Sequence, residues 1–370
     1  MSPTSQFPIL DSHIHLFPAT HLETLSWHSD NNPLGAQHSI DEYKAAIKAN
    51  ESAVRGFIFL ETDRLSSITE TQSSESTPTS SPTHGWTHAL DEVSLLTRIA
   101  LGEPITGEGH SPADKDLVWG IIPWAPIPGG EDVLSKYMTQ VKERTRTAEV
   151  WAKIRGVRYL VQDKPAGTML QDGFVSSLRW LGRVGLTFDL GVDARSGGLG
   201  QLREAVEMMD RVYGVDDGQA VTIIINHMCK PNLRLSSTEV RSHPEFLEWN
   251  ELVLRMAQAH PKTYMKLSGA FSEIEPLDGE SEPDFDAIVE RVQPWTDAVF
   301  DAFGVERVMF GSDWPVCNIG GGGNDVSWGR WKRVVAEIIE RRGLSDVEKQ
   351  GLWMKVAEDA YGCGSLGVSF

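Results

Sequence analysis

A chain of 370 residues and 41.0 kDa is long for one ordinary domain and suits a single large α/β barrel carrying insertions. Its 52 acidic against 34 basic side chains give a formal charge of −18, which repels phosphate backbones and anionic lipid and argues against nucleic acid and membrane surfaces as partners. Cys229, Cys317 and Cys363 are too few and too far apart for a disulfide framework, no secretory leader pattern or run of about 18 apolar residues is present, and a cytoplasmic chain is expected.

The first predicted element reads Phe7-Pro8-Ile9-Leu10-Asp11-Ser12-His13-Ile14-His15-Leu16-Phe17-Pro18. Extended, with a period of two, it sets Asp11, His13 and His15 on one face and Leu10, Ile14 and Leu16 on the other. Two imidazoles so placed either grip a divalent cation of the zinc type or polarise a carbonyl directly, and the plain alternative is a pair of strand-end histidines satisfied by backbone. Residues 17–37, rich in His, Trp, Asn and Pro, are too irregular for an element and are expected over the mouth of the site. Ser39-x-x-Glu42 predicts a capping box opening a helix to residue 49, and residues 54–61 read as a second strand with Glu61 and Asp63 at its carboxyl end.

Over residues 65–85 Ser, Thr and Pro replace large apolar side chains, as in a surface segment with no core to bury. With a helix over 87–101 and a polar loop over 102–115, this makes an insertion at about 63–116 within one domain spanning 1–370. Strand three, 117–123, ends beside Trp124, and a helix starts at Glu131. Strand four, Lys153-Ile154-Arg155-Gly156-Val157-Arg158, carries two guanidiniums that must either pair with barrel carboxylates or bind substrate oxygens.

The helical stripe Phe174, Leu178, Leu181 stops at Gly185, and strand five, 186–190, bears Asp189. The glycine-rich loop at 193–200 reads as an ordinary βα loop. Strand six is β-branched up to Asn226, which delivers His227 to its carboxyl end ahead of Lys230-Pro231. A helix capped at Ser242-His243-Pro244-Glu245, strand seven at 263–268, a helix over 285–303, strand eight at 307–315 and two closing helices, over 331–341 and from Ser345, complete the pattern. Eight strand-like runs alternating with helices predict an α/β fold, a closed (β/α)8 TIM-like barrel with the Ser/Thr/Pro-rich insertion after strand two. All strand carboxyl ends of such a barrel share one face, so His13, His15, Arg155, Arg158, His227 and Asp313 converge in a hydrolase-like set.

Asp11-Ser12-His13-Ile14-His15, Asn226-His227-x-x-Lys230-Pro231 and Phe310-Gly311-Ser312-Asp313-Trp314-Pro315, in that order, resemble the amidohydrolase superfamily. More narrowly they resemble its amidohydrolase-2 branch of sugar-lactone and pyrone-dicarboxylate lactonases and non-oxidative decarboxylases. The likeness runs from about Ile9 to the end of the chain, apart from residues 65–115, and is greatest toward lactonases of the fungal L-rhamnono-lactonase type. It implies hydrolysis of an aldonolactone such as L-rhamnono-1,4-lactone, a small-molecule partner, and no nucleotide cofactor.

The resemblance further implies His13, His15 and Asp313 around one divalent metal of the zinc type, or the imidazoles themselves polarising the carbonyl. Asp313 would be the general base, with His227 orienting substrate or protonating the leaving alkoxide. Arg155, Arg158 and Lys230 would position substrate oxygens, and Trp124 and Trp314 would be either sugar-packing faces or core. Asp189 stands where metal-dependent relatives carry a histidine, and strand four offers arginines in place of a bridging lysine, which tells against a binuclear centre. Two rivals stand beside the lactonase: a metal-dependent decarboxylase of aromatic acids, disfavoured by the missing strand-five histidine, and an inactive binding barrel, which predicts a broken polar set.

Overall fold

In a computed structural model, describing residues 7–29, 31–69, 85–214, 219–235 and 239–364, eight parallel strands alternate with eight long helices. The strands are β1 Ile9–Ile14, β2 Val54–Leu60, β3 Val118–Ile122, β4 Gly156–Arg158, β5 Thr187–Leu190, β6 Thr222–Ile225, β7 Thr263–Leu267 and β8 Val308–Phe310. After them in turn come α1 Ile40–Ile47, α2 Thr87–Leu101, α3 Glu131–Thr145, α4 Asp172–Val184, α5 Leu199–Tyr213, α6 Pro244–Ala259, α7 Phe285–Phe303 and α8 Ser327–Arg341. Strands β1 to β3 and β4 to β8 pair in sequence order. Parallel bridges Ile121–Ile154 and Trp124–Arg158 on one side, and Ile14–Trp314 on the other, join the two sheets into a ring. Closure removes the sheet edges, which would otherwise expose unpaired backbone groups.

The strands are apolar on both faces because each face meets a core. Ile9, Phe57, Phe59, Val118, Val157 and Ile223 pack outward into the shell of helices. Leu10, Ile58, Leu60, Ile122, Ile224 and Met309 fill the barrel interior. Local signals agree with this frame: Glu42 accepts the Ser39 N–H at 2.9 Å at the start of α1, and α4 ends on Gly185 at φ 74°, a left-handed cap suited to glycine.

Two features depart from expectation. In β1 the pairing register shifts between Asp11 and Ile14, so the period-two face changes partway along. Leu10 therefore points into the barrel, while Asp11 leaves the face of His13 and His15 and reaches Tyr43 of α1 and Trp328 of α8. The segment from Ser345 is no plain helix: a turn at Asp346–Gln350 widens to a π-turn at Gly351–Lys355 and resumes at Val356–Ala360, whose side chains with Tyr361 form the floor of the barrel. Residues 70–84 of the expected insertion lie outside the described residues; the rest is held by an Arg98–Glu108 ion pair and by Asp41 N–H donating to Gly109 O at 2.9 Å. Among the described residues no helix is long and apolar enough to cross a membrane.

Candidate active site

At the carboxyl ends of the strands Asp313 Oδ1 lies 3.5 Å from His13 Nε2 and 3.7 Å from both His15 Nε2 and His227 Nε2. The Nε2 atoms of His13 and His15 are 3.2 Å apart, and the His13 and His227 rings lie 4.5 Å centroid to centroid. A zinc ion with bonds of roughly 2.0–2.2 Å in tetrahedral geometry places its ligand atoms about 3.3–3.5 Å from one another. The buried imidazole and carboxylate donors of His13, His227 and Asp313, with His15 beside them, fit one such cation.

Each group is held by its own strand end. His15 Nδ1 faces the carbonyls of Leu60 and Glu61 at 3.0 Å each, which fixes its N–H there and turns Nε2 to the centre. His227 Nδ1 meets Ser268 Oγ at 2.8 Å, and its ring lies so close to Gly269 that a Cβ there would come within 2.7 Å of it. His227 opens a left-handed run with φ of 57°, 53°, 62° and 45° through Lys230, a conformation costing about 1–2 kcal/mol per residue. Backbone bonds offset that strain, Ala194 N–H to Cys229 O at 2.9 Å and Arg195 N–H to Lys230 O at 3.1 Å among them. Asp313, at φ 61°, donates its N–H to His13 O at 2.9 Å.

Electrostatics separate the roles. Burial would raise the Asp313 carboxyl, yet His227, His15 and Lys230 outweigh it and hold Asp313 below the usual carboxylate value, so it is ionised at neutral pH. Burial pulls His227 down to about 3 and His13 well below the ordinary imidazole value, keeping both neutral. Asp313 Oδ2 is buried without a hydrogen-bond partner. The centre thus holds one carboxylate with a free oxygen beside the uncharged rings of His13 and His227.

Beneath His13 runs a polar column. Lys266 Nζ lies 3.3 Å from His13 Nδ1 and donates to Asp189 Oδ1 at 2.6 Å, and Tyr361 OH lies 2.9 Å from both Asp189 oxygens. Asp189, whose place on strand five told against a binuclear centre, sits inside the barrel as a partner of Lys266. Lys266 was missed, although a lysine within Thr-Tyr-Met-Lys-Leu is the same signal that singled out the strand-four arginines: a buried charge on a strand needs a partner.

A cavity of about 410 Å³ opens beside His15, lined by Glu61, Asp63, Arg158, Gln162 and Asp163 on its polar side and by Phe17, Leu34, Leu160, Val316 and Ile319 on its apolar side. The 17–37 stretch therefore does border the site. Arg158 Nε and Glu61 Oε1 form an ion pair at 2.9 Å whose alignment falls short of a hydrogen bond, and Arg158 Nη1 has no partner. Burial lifts the Glu61 carboxyl to about 7 even though Arg158 opposes it. Asn226, at the end of β6, is fully buried with both amide atoms unpartnered. Lys230 reaches Gln162 Oε1 at 3.3 Å on the rim.

Three expected substrate contacts are not at this cavity. Arg155 lines a separate hollow with Lys115, Trp119, Lys153 and Cys363 at the amino end of the strands, because it precedes β4 whereas Arg158 ends it. Trp314 is core: it is fully buried, packs on Tyr43 and His38, and donates Nε1–H to Asn324 Oδ1 at 2.8 Å. Trp124 packs edge-on against Tyr137 and borders a smaller neighbouring cavity of about 220 Å³ with Tyr159 and Lys164.

Residues 125–347 match the amidohydrolase family. An L-rhamnono-gamma-lactonase of Scheffersomyces stipitis is 34% identical over 358 residues, 96% of this chain and 99% of that protein. An L-fucono-1,5-lactonase of Burkholderia multivorans is 28% identical over 279 residues, 72% of this chain and 83% of the relative. In fold, the crystal structure of a Burkholderia multivorans amidohydrolase with bound zinc superposes with a TM-score of 0.65 at 21% identity, covering 96% and 99% of the two chains.

Proposed function

The chain belongs to the amidohydrolase family, and from that premise we propose that it hydrolyses the cyclic ester of a sugar acid, an aldonolactone of the L-rhamnono-1,4-lactone kind, to the free acid. One observation carries the reading: an ionised, nearly solvent-free Asp313 with an unengaged oxygen stands among three imidazoles, next to a cavity with one polar and one apolar wall.

A zinc-type ion among His13, His15, His227 and Asp313 would supply Lewis acidity toward the lactone carbonyl. The chain's own groups do the rest. Arg158 Nη1 binds and orients a substrate oxygen, and Gln162 and Lys230 hold hydroxyls at the rim. Asp313 Oδ2 takes a proton from water as the water oxygen bonds to the carbonyl carbon. The ring C–O bond then breaks, the proton on Asp313 passes to the leaving alkoxide, and the new carboxylic acid sheds its own proton to solvent. Phe17, Leu34, Val316 and Ile319 offer an apolar wall to the methyl group of a 6-deoxy sugar acid. Such an activity belongs to the breakdown of rhamnose-type sugars in a reducing cytoplasm, in keeping with three free cysteines.

The test is acid release from a panel of aldonolactones in weak buffer, run beside carbon dioxide release from hydroxybenzoates. Acid release from 6-deoxy sugar lactones without decarboxylation is expected. Carbon dioxide evolution with the lactones left intact overturns the proposal in favour of the decarboxylase, and inertness toward both favours a binding barrel.

A further inference from the structure

Two cavities adjoin at the carboxyl end of the barrel. Asp63, Leu160 and Asp163 line both the cavity beside His15 and the smaller one of about 220 Å³. Past the end of β4 the chain divides between them, Arg158 bordering the larger, Tyr159 the smaller and Leu160 each. The larger alone, at about 410 Å³, falls within the roughly 300–1,000 Å³ that accommodates a whole small ligand, so a monosaccharide lactone leaves the smaller cavity unused. The edge of that second cavity is fixed by main-chain bonds. Ser26 N–H donates to Asp63 O at 2.9 Å and Leu65 N–H to Thr24 O at 2.8 Å, around an antiparallel bridge between Leu25 and Arg64, and they hold Asp63 in a left-handed conformation at φ 53°.

The lining selects a neutral ring of hydroxyls over an anion. Arg64 is engaged by Glu92 at 2.9 Å and His21 Nδ1 at 2.8 Å, and Lys164 pairs with Asp163 at 3.0 Å. With Asp63 and Asp163 on the wall, a phosphate or carboxylate would meet two like charges and no unpaired cation among the described residues that line it. Sugar hydroxyls suit it, since they donate to carboxylates and accept from Lys164 and the Ser67 hydroxyl. Trp124 and Tyr159 add two aromatic side chains against which the C–H face of a pyranose can pack.

We propose that the smaller cavity is a glycosyl subsite, so that the chain accepts lactones of glycosylated sugar acids, with the ester ring beside His15 and Asp313 and a second, neutral sugar ring between the aromatic pair and the Asp63–Asp163 edge. The smaller cavity does not reach His15, so the second ring is attached through a hydroxyl of the acid and not through the ester. Water cleaves the ester bond as before, and the glycosidic bond stays intact.

The inference rests on the lactone reading of the larger cavity, and its test reads binding without turnover, so its failure is distinct from failure of the lactone panel. The probes are aldonic acids made by oxidising a set of disaccharides whose reducing end is rhamnose, compared with rhamnonate itself. At least one glycosylated acid should bind about tenfold or more tighter than rhamnonate by calorimetry, and saturation-transfer NMR should show both of its rings in contact with the protein. The variant S67W, which fills the smaller cavity from a surface loop, should bring that acid within about twofold of rhamnonate while rhamnonate binds as to wild type. Glycosylated acids that bind no tighter than rhamnonate, a second ring that receives no saturation, or an advantage that survives S67W overturns the proposal. Should S67W not fold, the wild-type affinities and ring contacts still decide.

Discussion

Asp11 accepts the backbone N–H of Ser312 at 2.8 Å, a bond between residues 301 positions apart that ties β1 to the end of β8 one residue before Asp313. The same carboxylate accepts Trp328 Nε1–H at 2.8 Å and Tyr43 OH at 3.2 Å. It is a clamp rather than a ligand. D11A leaves three buried donors unpaired at about 1–3 kcal/mol each, so urea unfolding should show a loss of roughly 3 kcal/mol or more. Wild-type stability in D11A would mean that the clamp is dispensable.

Replacing Asp313 with Asn keeps the size and the left-handed backbone at φ 61°, which Asn tolerates well. The oxygen proposed to accept the proton of water is lost. D313N should retain its melting temperature while kcat/KM falls by about 10²–10³-fold or more. Retention of a tenth of the activity removes Asp313 from the role of base.

The two strand-four arginines should separate cleanly. Arg158 borders the cavity, so R158Q should lower kcat/KM by about 10–10²-fold, chiefly through KM. Arg155 lies at the other end of the barrel, so R155Q should leave kcat/KM within about twofold and act, if at all, on stability. Equal effects on KM would contradict this division.

Glu61 gives a pH signature in stability. Its carboxyl sits at about 7 in the folded chain against 4.5 ordinarily, because burial outweighs Arg158. Between those values the native state keeps a proton that the unfolded chain has released, so the stability that Glu61 contributes is full below about pH 4.5 and is lost as pH rises to about 7. Over that window wild type should lose on the order of a few kcal/mol relative to E61Q, read from urea midpoints at successive pH values. Parallel curves would show that Glu61 ionises as an exposed acid does.

The ring of strands was legible because buried parallel strands leave near-continuous apolar runs: strand six, read at 221–226, is Thr222–Ile225, and strand seven, read at 263–268, is Thr263–Leu267. His13 and His15 stood out by their period-two spacing, His227 by its place just past a β-branched run, and Asp313 by the motif around it. The face of Asp11 was not, because one shift in register reverses every later side chain and leaves no mark in composition. Arg155 and Arg158 look alike in sequence, and only their place before or after the three residues of β4 assigns them to opposite ends. Trp314 could not be told from a lining residue, since an indole beside a strand-end carboxylate packs equally well inward or toward a ligand.

Tyr361 lies 172 residues beyond the Asp189 that it bonds. During synthesis, a nascent chain whose first seven strands have left the ribosome still lacks the hydroxyl that stops the barrel from below. Water must solvate Asp189 and Lys266 through the open floor until the last turn docks. Competence of the imidazole cluster therefore arrives late in translation, however early the ring of strands begins to assemble.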